Sequence, residues 1–316
     1  MPKAIFAICS FIGLRISQKR GKHFNWGSWV GVFLAVATLW ISLYGLTTGT
    51  KQLNVKHIDL SFDNLPEAFD GYKIVHFSDI HLGTYDFVGK EVLQRVIDSI
   101  NIQHADAIFF TGDMVNVEYS EANKYQEMVA SLSAKDGVFS VLGNHDYSNY
   151  INADDEEKAA SERGLQNFQR SLGWKLLMNE SFVLRRGKDS IVIVGEEYGY
   201  KAPSWNKSEI NETFKGIEGN SFVVFMQHEP DLWKETILPA LHPNLTLSGH
   251  THGGQLAMFG LRATQLLRSE DYGLYEDNGC FLYVTCGAGA LLPFRYGVNP
   301  EIAVITLHRK QKKSNH

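Results

Sequence analysis

The chain has 316 residues, 44% of them hydrophobic and 21% charged. These proportions suit a globular protein with a full core and exclude disorder over the chain as a whole. The formal net charge of −5 is uneven, because residues 1–56 hold seven basic side chains and no acid, which leaves −12 for the remainder. An acidic body excludes nucleic acid as an expected partner, since such a partner calls for a basic face. Three cysteines, Cys9, Cys280 and Cys286, are too few for a disulfide framework.

In chain order, the first apolar run is residues 4–14, "AIFAICSFIGL". It is too short to span a bilayer alone, and reads as an interfacial segment or the remnant of an earlier helix. Residues 27–46, "GSWVGVFLAVATLWISLYGL", carry no charge. At about 1.5 Å per residue they reach about 30 Å, the thickness of a hydrocarbon core. Trp26, Trp29, Trp40 and Tyr44 fall near the two ends, where interfacial aromatics belong. Arg15, Lys19, Arg20 and Lys22 precede this run, and Lys51 and Lys56 follow it. The positive-inside bias then puts the N-terminal side in the cytoplasm. The expected layout is a cell-membrane protein with a single-pass anchor over 1–48 and an extracytoplasmic catalytic domain over 54–308. A solvated basic tail, 309–316, closes the chain.

After the anchor, 55–62 alternates like a half-exposed strand and 72–78 reads as a buried one. A helix is expected over 89–102, a strand over 107–111, a helix over 120–134 and a strand over 138–142. This βαβαβ rhythm implies parallel strands with crossover helices. Residues 152–172 carry Leu165, Phe168 and Leu172 on one helical face. Short strands then follow within 174–195, at 222–226, 245–248, 280–285 and 302–308. Many strands with few helices suggest two packed sheets. The loop "GEEYGYKAPSW" holds Glu196, Glu197, Tyr198 and Trp205, which either rim a pocket or form an exposed turn.

Polar residues interrupt the ends of five of these strands. "HFSDIHLG" places Asp79 and His81, "FFTGDMV" places Asp113, and "VLGNHD" places Asn144, His145 and Asp146. "FMQHEPD" places His228 and "LSGHTHGGQ" places His250 and His252. Taken singly, each has an ordinary reading: a turn aspartate, a helix cap, a satisfied histidine. Taken together they converge, because ligands of such sheets bind at the carboxyl ends of the strands. Mixed imidazole and oxygen donors suit Mn, Fe or Zn, and the lack of a cysteine donor argues against a structural zinc. Six or seven donors exceed one tetrahedral ion. Two divalent ions sharing a carboxylate, about 3.5–4 Å apart, are the usual apparatus for displacement at phosphorus.

The motifs D-x-H, G-D, G-N-H-D, H and G-H-T-H, in this order, resemble those of the calcineurin-like metallophosphoesterases. "GHTHGGQ" and "GAGALLPFRYGVNPEIAVITL" look most like the membrane-associated bacterial branch. The resemblance covers about residues 54–308 and implies an α/β fold, a four-layer αββα sandwich of two mixed sheets flanked by helices. It implies that Asp79, His81 and His252 bind one metal ion, that Asn144, His228 and His250 bind a second, and that Asp113 bridges them. It implies a hydroxide between the ions attacking phosphorus in line. His145 is then no ligand but stabilises charge or protonates the leaving group, oriented by Asp146. Gly253 and Gly254 are expected to leave room for phosphate oxygens. The expected substrate is a phosphate ester outside the cytoplasm. The alternatives are a lipid-linked pyrophosphate such as UDP-diacylglucosamine and, from another class, a binding protein that has lost catalysis.

Overall fold

The computed structural model describes residues 1–21, 24–205, 209–210, 213–217 and 219–311. Helix α1 (Pro2–Lys19) turns back into α2 (Trp26–Thr47) as an antiparallel pair. Small residues bring the two backbones together: a Cβ on Gly13 would lie 2.4 Å from the Cα of Gly27, and one on Gly27 only 2.1 Å from the carbonyl oxygen of Cys9. The Asn25 amide donates to the Ser10 carbonyl (3.1 Å) and the Ser10 and Ser28 hydroxyls pair at 2.9 Å. Close small-residue packing with a few polar contacts is how helices associate in lipid. The run at 4–14 is thus part of a helix longer than its apolar core, paired with α2 rather than lying alone. Among the described residues α2 is the one helix long and apolar enough to cross a membrane. Its buried positions are Gly27, Gly31 and Gly45, so it is not a core helix of the domain.

The domain begins with β1 (Asn54–Phe62) and β2 (Tyr72–Phe77). The single turn α3 (Tyr85–Val88) leads into α4 (Lys90–Asn101), then β3 (Ala107–Phe110). α4 buries Val92, Leu93, Val96, Ile97 and Ile100, the i, i+3, i+4 stripe that a crossover helix lays on its sheet. The single helix expected over 120–134 is two short pieces, α5 (Ser120–Asn123) and α6 (Gln126–Ala130). The backbone leaves the helical region at Tyr125 (φ −115°, ψ 12°), whose hydroxyl donates to Asp86 (2.8 Å). Its apolar stripe survives, because Ala122, Tyr125, Val129 and Leu132 are all buried.

Next come β4 (Val138–Ser140), α7 (Asp155–Ser171), β5 (Lys175–Leu176), β6 (Glu180–Arg186), β7 (Asp189–Gly195), β8 (Phe222–Met226) and β9 (Leu245–Ser248). The hairpin β10 (Ala257–Met258) and β11 (Leu261–Arg262), the strand β12 (Gly273–Asp277), β13 (Cys280–Val284) and β14 (Glu301–Arg309) complete the chain. The first sheet runs β1–β14–β2–β3–β4–β5 and the second β12–β13–β9–β8–β7–β6. β2 to β5 are mutually parallel, as are β7, β8, β9 and β13, while β14 is antiparallel to β2. The facing sides of the sheets form one core, including Ile74, Phe109, Phe139, Ile193, Val224, Leu247 and Tyr283. Helices α4 and α7 cover the outer face of the first sheet through Val96, Ile97, Leu165 and Phe168. Trp233 and Ile237 cover the second. The protein is therefore a mixed α/β sandwich of two large sheets flanked by helices. β14 carries the domain to Arg309, and most of the basic tail lies outside the described residues.

Candidate metal centre

Every site residue named from the sequence sits just past the carboxyl end of a strand. Asp79 and His81 follow β2, Asp113 follows β3, Asn144 follows β4, His228 follows β8, and His250 and His252 follow β9. The strand ends are stitched to one another by backbone bonds: Asp79 N–H donates to Gly112 O (2.8 Å) and Gly249 N–H to His228 O (3.0 Å). Asp146 reinforces them. Its carboxylate accepts from the backbone N–H groups of Gly143 (2.9 Å), Asp113 (2.9 Å) and Met114 (2.8 Å).

Five of these residues have left-handed backbones: Asp79 (φ 51°), His81 (φ 46°), Asp113 (φ 58°), His250 (φ 70°) and His252 (φ 52°). Each such non-glycine conformation costs about 1–3 kcal/mol and persists where the surroundings enforce it, often at functional sites. Two glycines allow the crowding. A Cβ on Gly249 would stand 2.3 Å from Asp79 Oδ2, and one on Gly143 2.3 Å from Asp113 Oδ1. Gly253 (φ 55°) and Gly254 (φ 69°) do something different from what the sequence suggests. Their Cβ atoms would press on Val298 (3.0 Å) and Thr264 (3.1 Å), so they turn the chain within the protein rather than clear space for a ligand.

Donor atoms of Asp79, His81 and His252 lie within 4.8 Å of one another, as do those of Asp79, Asp113 and His228. His81 gives its Nδ1 proton to Val115 O (3.1 Å) and His228 gives its own to Thr111 O (2.7 Å). Such bonds fix the tautomer and leave Nε2 as the donor. His81 Nε2 stands 3.2 Å from His252 Nε2. His228 Nε2 stands 3.1 Å from Asn144 Oδ1 and 3.2 Å from His250 Nδ1, which is itself 2.9 Å from Asn144 Oδ1. Asp113 Oδ2 lies between the two groups, 3.7 Å from His81 Nε2 and 3.3 Å from His228 Nε2.

The electrostatics ask for a cation. Asp79 and Asp113 are buried, and Asp79 Oδ1 has no hydrogen-bond partner. An orphaned buried carboxylate oxygen is costly unless something positive meets it. Burial pushes Asp79 up to about 6. Burial also lowers His81 to about 4 and His250 to about 3, and holds His252 well below its usual value. These rings are neutral at pH 7, the form that ligates metal. Burial works against a charge on His228 too, but Asp113 outweighs it and raises that imidazole to about 10. Asp113 moves well down in return, against its own burial. The donor set fits a divalent cation: buried carboxylates, the neutral imidazoles of His81, His250 and His252, an amide oxygen, and at His228 an imidazolium whose proton a metal ion would displace.

His145 lies beside the cluster, its ring centroid 5.0 Å from that of His81. Its Nδ1 proton goes to Asn116 O (2.5 Å). The orienting role expected of Asp146 is corrected here, since that carboxylate is taken up by backbone N–H groups. Three neighbours were not singled out from the sequence. Tyr150 stacks on His145 with centroids 4.5 Å apart, and its hydroxyl accepts from Asn144 Nδ2 (2.9 Å). Arg268 Nη2 is 3.3 Å from His250 Nε2. Arg295, fully buried, donates to the carbonyls of His252 (2.9 Å), Cys286 (2.7 Å) and Gly289 (2.5 Å). Arg295 had a signal: it is the one charge within the apolar run "GALLPFRYGV". In the 195–205 loop, Tyr198 reaches the centre, 5.9 Å from the His228 ring and 6.0 Å from that of His250. Glu196 is buried behind it, Glu197 is held by Asn179 (3.0 Å), and Trp205 is exposed.

A cation-seeking cluster at parallel strand ends of an αββα sandwich defines an α/β protein built to bind metal at its strand ends. A family model described as calcineurin-like phosphoesterase matches residues 72–254. The chain belongs to that family and is a metal-dependent phosphoesterase. It is 31% identical over 250 residues to an uncharacterized metallophosphoesterase, YkuE, of Bacillus subtilis, covering 77% of this chain and 81% of that one. It is 28% identical over 316 residues to a protein named "Transmembrane protein with metallophosphoesterase domain" from Danio rerio, covering 96% of this chain and 69% of that one. A solved phosphopantetheinyl hydrolase from Mycobacterium tuberculosis aligns over 68% of this chain and 89% of its own, with 12% identity and a TM-score of 0.43. The apolar helix and the relative's name suggest membrane anchoring.

Proposed function

We propose that the protein is a membrane-anchored phosphoesterase that works with two divalent ions, Mn, Fe or Zn, and hydrolyses a phosphate ester outside the cytoplasm. The observation that carries the two-ion reading is Asp113 Oδ2, which stands between the His81 and His228 nitrogens, 3.7 and 3.3 Å away. Asp79, His81 and His252 would hold one ion, and Asn144, His228 and His250 the other. When bound, such ions bring the pKa of water toward neutrality and offset charge on phosphoryl oxygens. The chain's own residues do the rest. Asp113 Oδ1 accepts the His145 backbone N–H (2.9 Å), so the carboxylate that would be shared by the two ions also fixes where His145 begins. With Nδ1 committed to Asn116, Nε2 is the atom of His145 that carries a proton to the departing oxygen. Tyr150 holds that ring against rotation by stacking. Arg268 and Tyr198 flank His250 and orient the phosphoryl group.

The test uses the full chain in detergent. Metal is stripped, manganese is added back, and hydrolysis of bis(p-nitrophenyl) phosphate is followed beside p-nitrophenyl phosphate. Activity that returns with metal, at two ions per chain by elemental analysis, is the expected result. Two bound ions with neither ester cleaved would contradict the reading. Orientation has its own test: a reporter fused after His316 should be active only if it is of the kind that works outside the cytoplasm.

A further inference from the structure

The segment that follows the metal-site histidines carries an apolar ridge that no other described residue covers. Phe259, at the tip of the β10–β11 hairpin, is 99% exposed, Leu261 73%, Leu266 88%, Leu267 83% and, on the adjoining loop, Leu292 65%. Scattered exposed leucines need no explanation, but a contiguous set marks an interaction surface. The ridge is rooted in the end of α2. Gln255 Nε2 donates to the carbonyls of Leu292 (3.0 Å) and Phe294 (2.7 Å), and Ala257 N–H donates to Tyr296 O (2.7 Å). Tyr296 in turn meets the rings of Trp40 and Tyr44 edge-on at 6.0 and 5.7 Å, and Arg295 N–H donates to Gly45 O (3.0 Å). On the other side Arg268, next in the chain after Leu267, reaches His250.

We propose that this ridge is a bilayer-docking surface that seats the mouth of the metal centre on the membrane. The occupant follows from continuity. Trp40 and Tyr44 close the apolar run of α2, where ring side chains mark headgroup level. Their partner Tyr296 forms the base of the ridge, so Phe259 and the leucines project at the depth of the interface. Apolar side chains on such a surface bury about 5–10 Å into the headgroup–acyl boundary. His250 and Arg268 then open beside the headgroups, and a lipid-borne phosphoester can reach them with its chains still in the membrane. This inference rests on α2 spanning the bilayer and on the phosphoesterase reading of the site.

The test is depth-dependent quenching in the full chain. Cys9→Ser and Cys280→Ser remove two thiols, and the remaining Cys286 is fully buried. On that background Phe259→Cys, Val36→Cys in α2 and Lys188→Cys are each labelled with an environment-sensitive dye. Lys188 lies in the β6–β7 turn, at the far edge of the second sheet. The chains are reconstituted into phosphatidylcholine–phosphatidylglycerol vesicles that contain an acyl-chain nitroxide lipid. Labels at 259 and 36 should be quenched several-fold more than the label at 188. Quenching at 36 alone would overturn the ridge while leaving the anchor intact, and quenching at neither would overturn both. A label at 259 shielded from aqueous iodide yet untouched by the lipid nitroxide would mean that a second copy covers the ridge, and would also overturn it. Hydrolysis of bis(p-nitrophenyl) phosphate by the same vesicles reports separately on the phosphoesterase reading.

Discussion

On the proposed two-ion reading, the two halves of the metal centre are built differently. Asp79, His81 and His252 all have left-handed backbones, whereas in the other half only His250 does, and Asn144 and His228 have ordinary ones. The first half is enclosed by the loop that carries Arg295 and is tied through that loop to the end of α2. The second half is flanked by Tyr198 and Arg268. Stored strain of this kind needs an enclosing structure that over-determines it. The difference is one of support: the Asp79, His81 and His252 group is held in a strained arrangement by the loop that encloses it, while the Asn144, His228 and His250 group relies less on such backbone strain.

The largest effect should come from Asp113, whose carboxylate lies near both His81 and His228. Asp113→Asn removes the charge that reaches both His81 and His228, and activity should fall by at least about 10³-fold, the scale of losing a central electrostatic group. Elemental analysis should show fewer than two ions per chain. Full occupancy with near-parental turnover would mean that the halves are independent. His145→Ala should lower turnover by about 10²–10⁴-fold, the range of a lost general acid, with metal content unchanged. Loss of an ion in that variant would make His145 a ligand and redraw the border of the first half.

The sequence made the site legible before the fold. Asp79, Asp113, Asn144, His228 and His250 each follow a strand that its apolar run announces, so their convergence could be read from strand ends alone. Arg295 and Tyr150 could not be read in this way, because their roles depend on long-range contacts, Arg295 to His252 and Tyr150 to the His145 ring. Among the elements, α4 was visible from its stripe. β12 was not, because "GLYED" pairs with β13 at the sheet's edge while exposing Leu274 and Glu276, and an edge strand lacks the continuous apolar run of a buried one. The break at Tyr125 was hidden for another reason: the apolar spacing is the same whether or not the helix is continuous.

A smaller effect separates the halves through stability. Glu196, behind Tyr198 on the second half, is buried and raised from 4.5 to about 7 by that burial. In the unfolded chain it ionises near its ordinary value, so folding is disfavoured as pH rises from about 4.5 to about 7, and the cost is constant above that. Glu196→Gln keeps an acceptor for the Ser204 N–H, now 2.8 Å from Oε1. In metal-free protein it should stabilise the fold at pH 8 by up to about 3 kcal/mol, at about 1.4 kcal/mol per pKa unit. The gain should vanish below about pH 4.5. Chemical unfolding at the two pH values gives the answer, and a gain that is equal at both would show that folding leaves the Glu196 carboxyl near its ordinary value.

The last effect acts on the first half alone. Arg295 is fully buried and bonds three carbonyls, of which His252 O belongs to a proposed ligand. Its own backbone bonds Gly45. Arg295→Met keeps most of the volume and removes the donors, so the His252 loop loses its clamp while the His228 half keeps all its bonds. Removing a supporting group of this kind typically weakens metal binding about 10–100-fold. Titration of the stripped chain with manganese should therefore give one ion bound as tightly as in the parent and one weakened by that factor. If both weaken together, the shared carboxylate of Asp113 transmits the disturbance and the halves are one cooperative unit. If neither weakens, the left-handed backbone at His252 is held by its own turn, and the tie to α2 serves to orient the domain rather than to support the ligand.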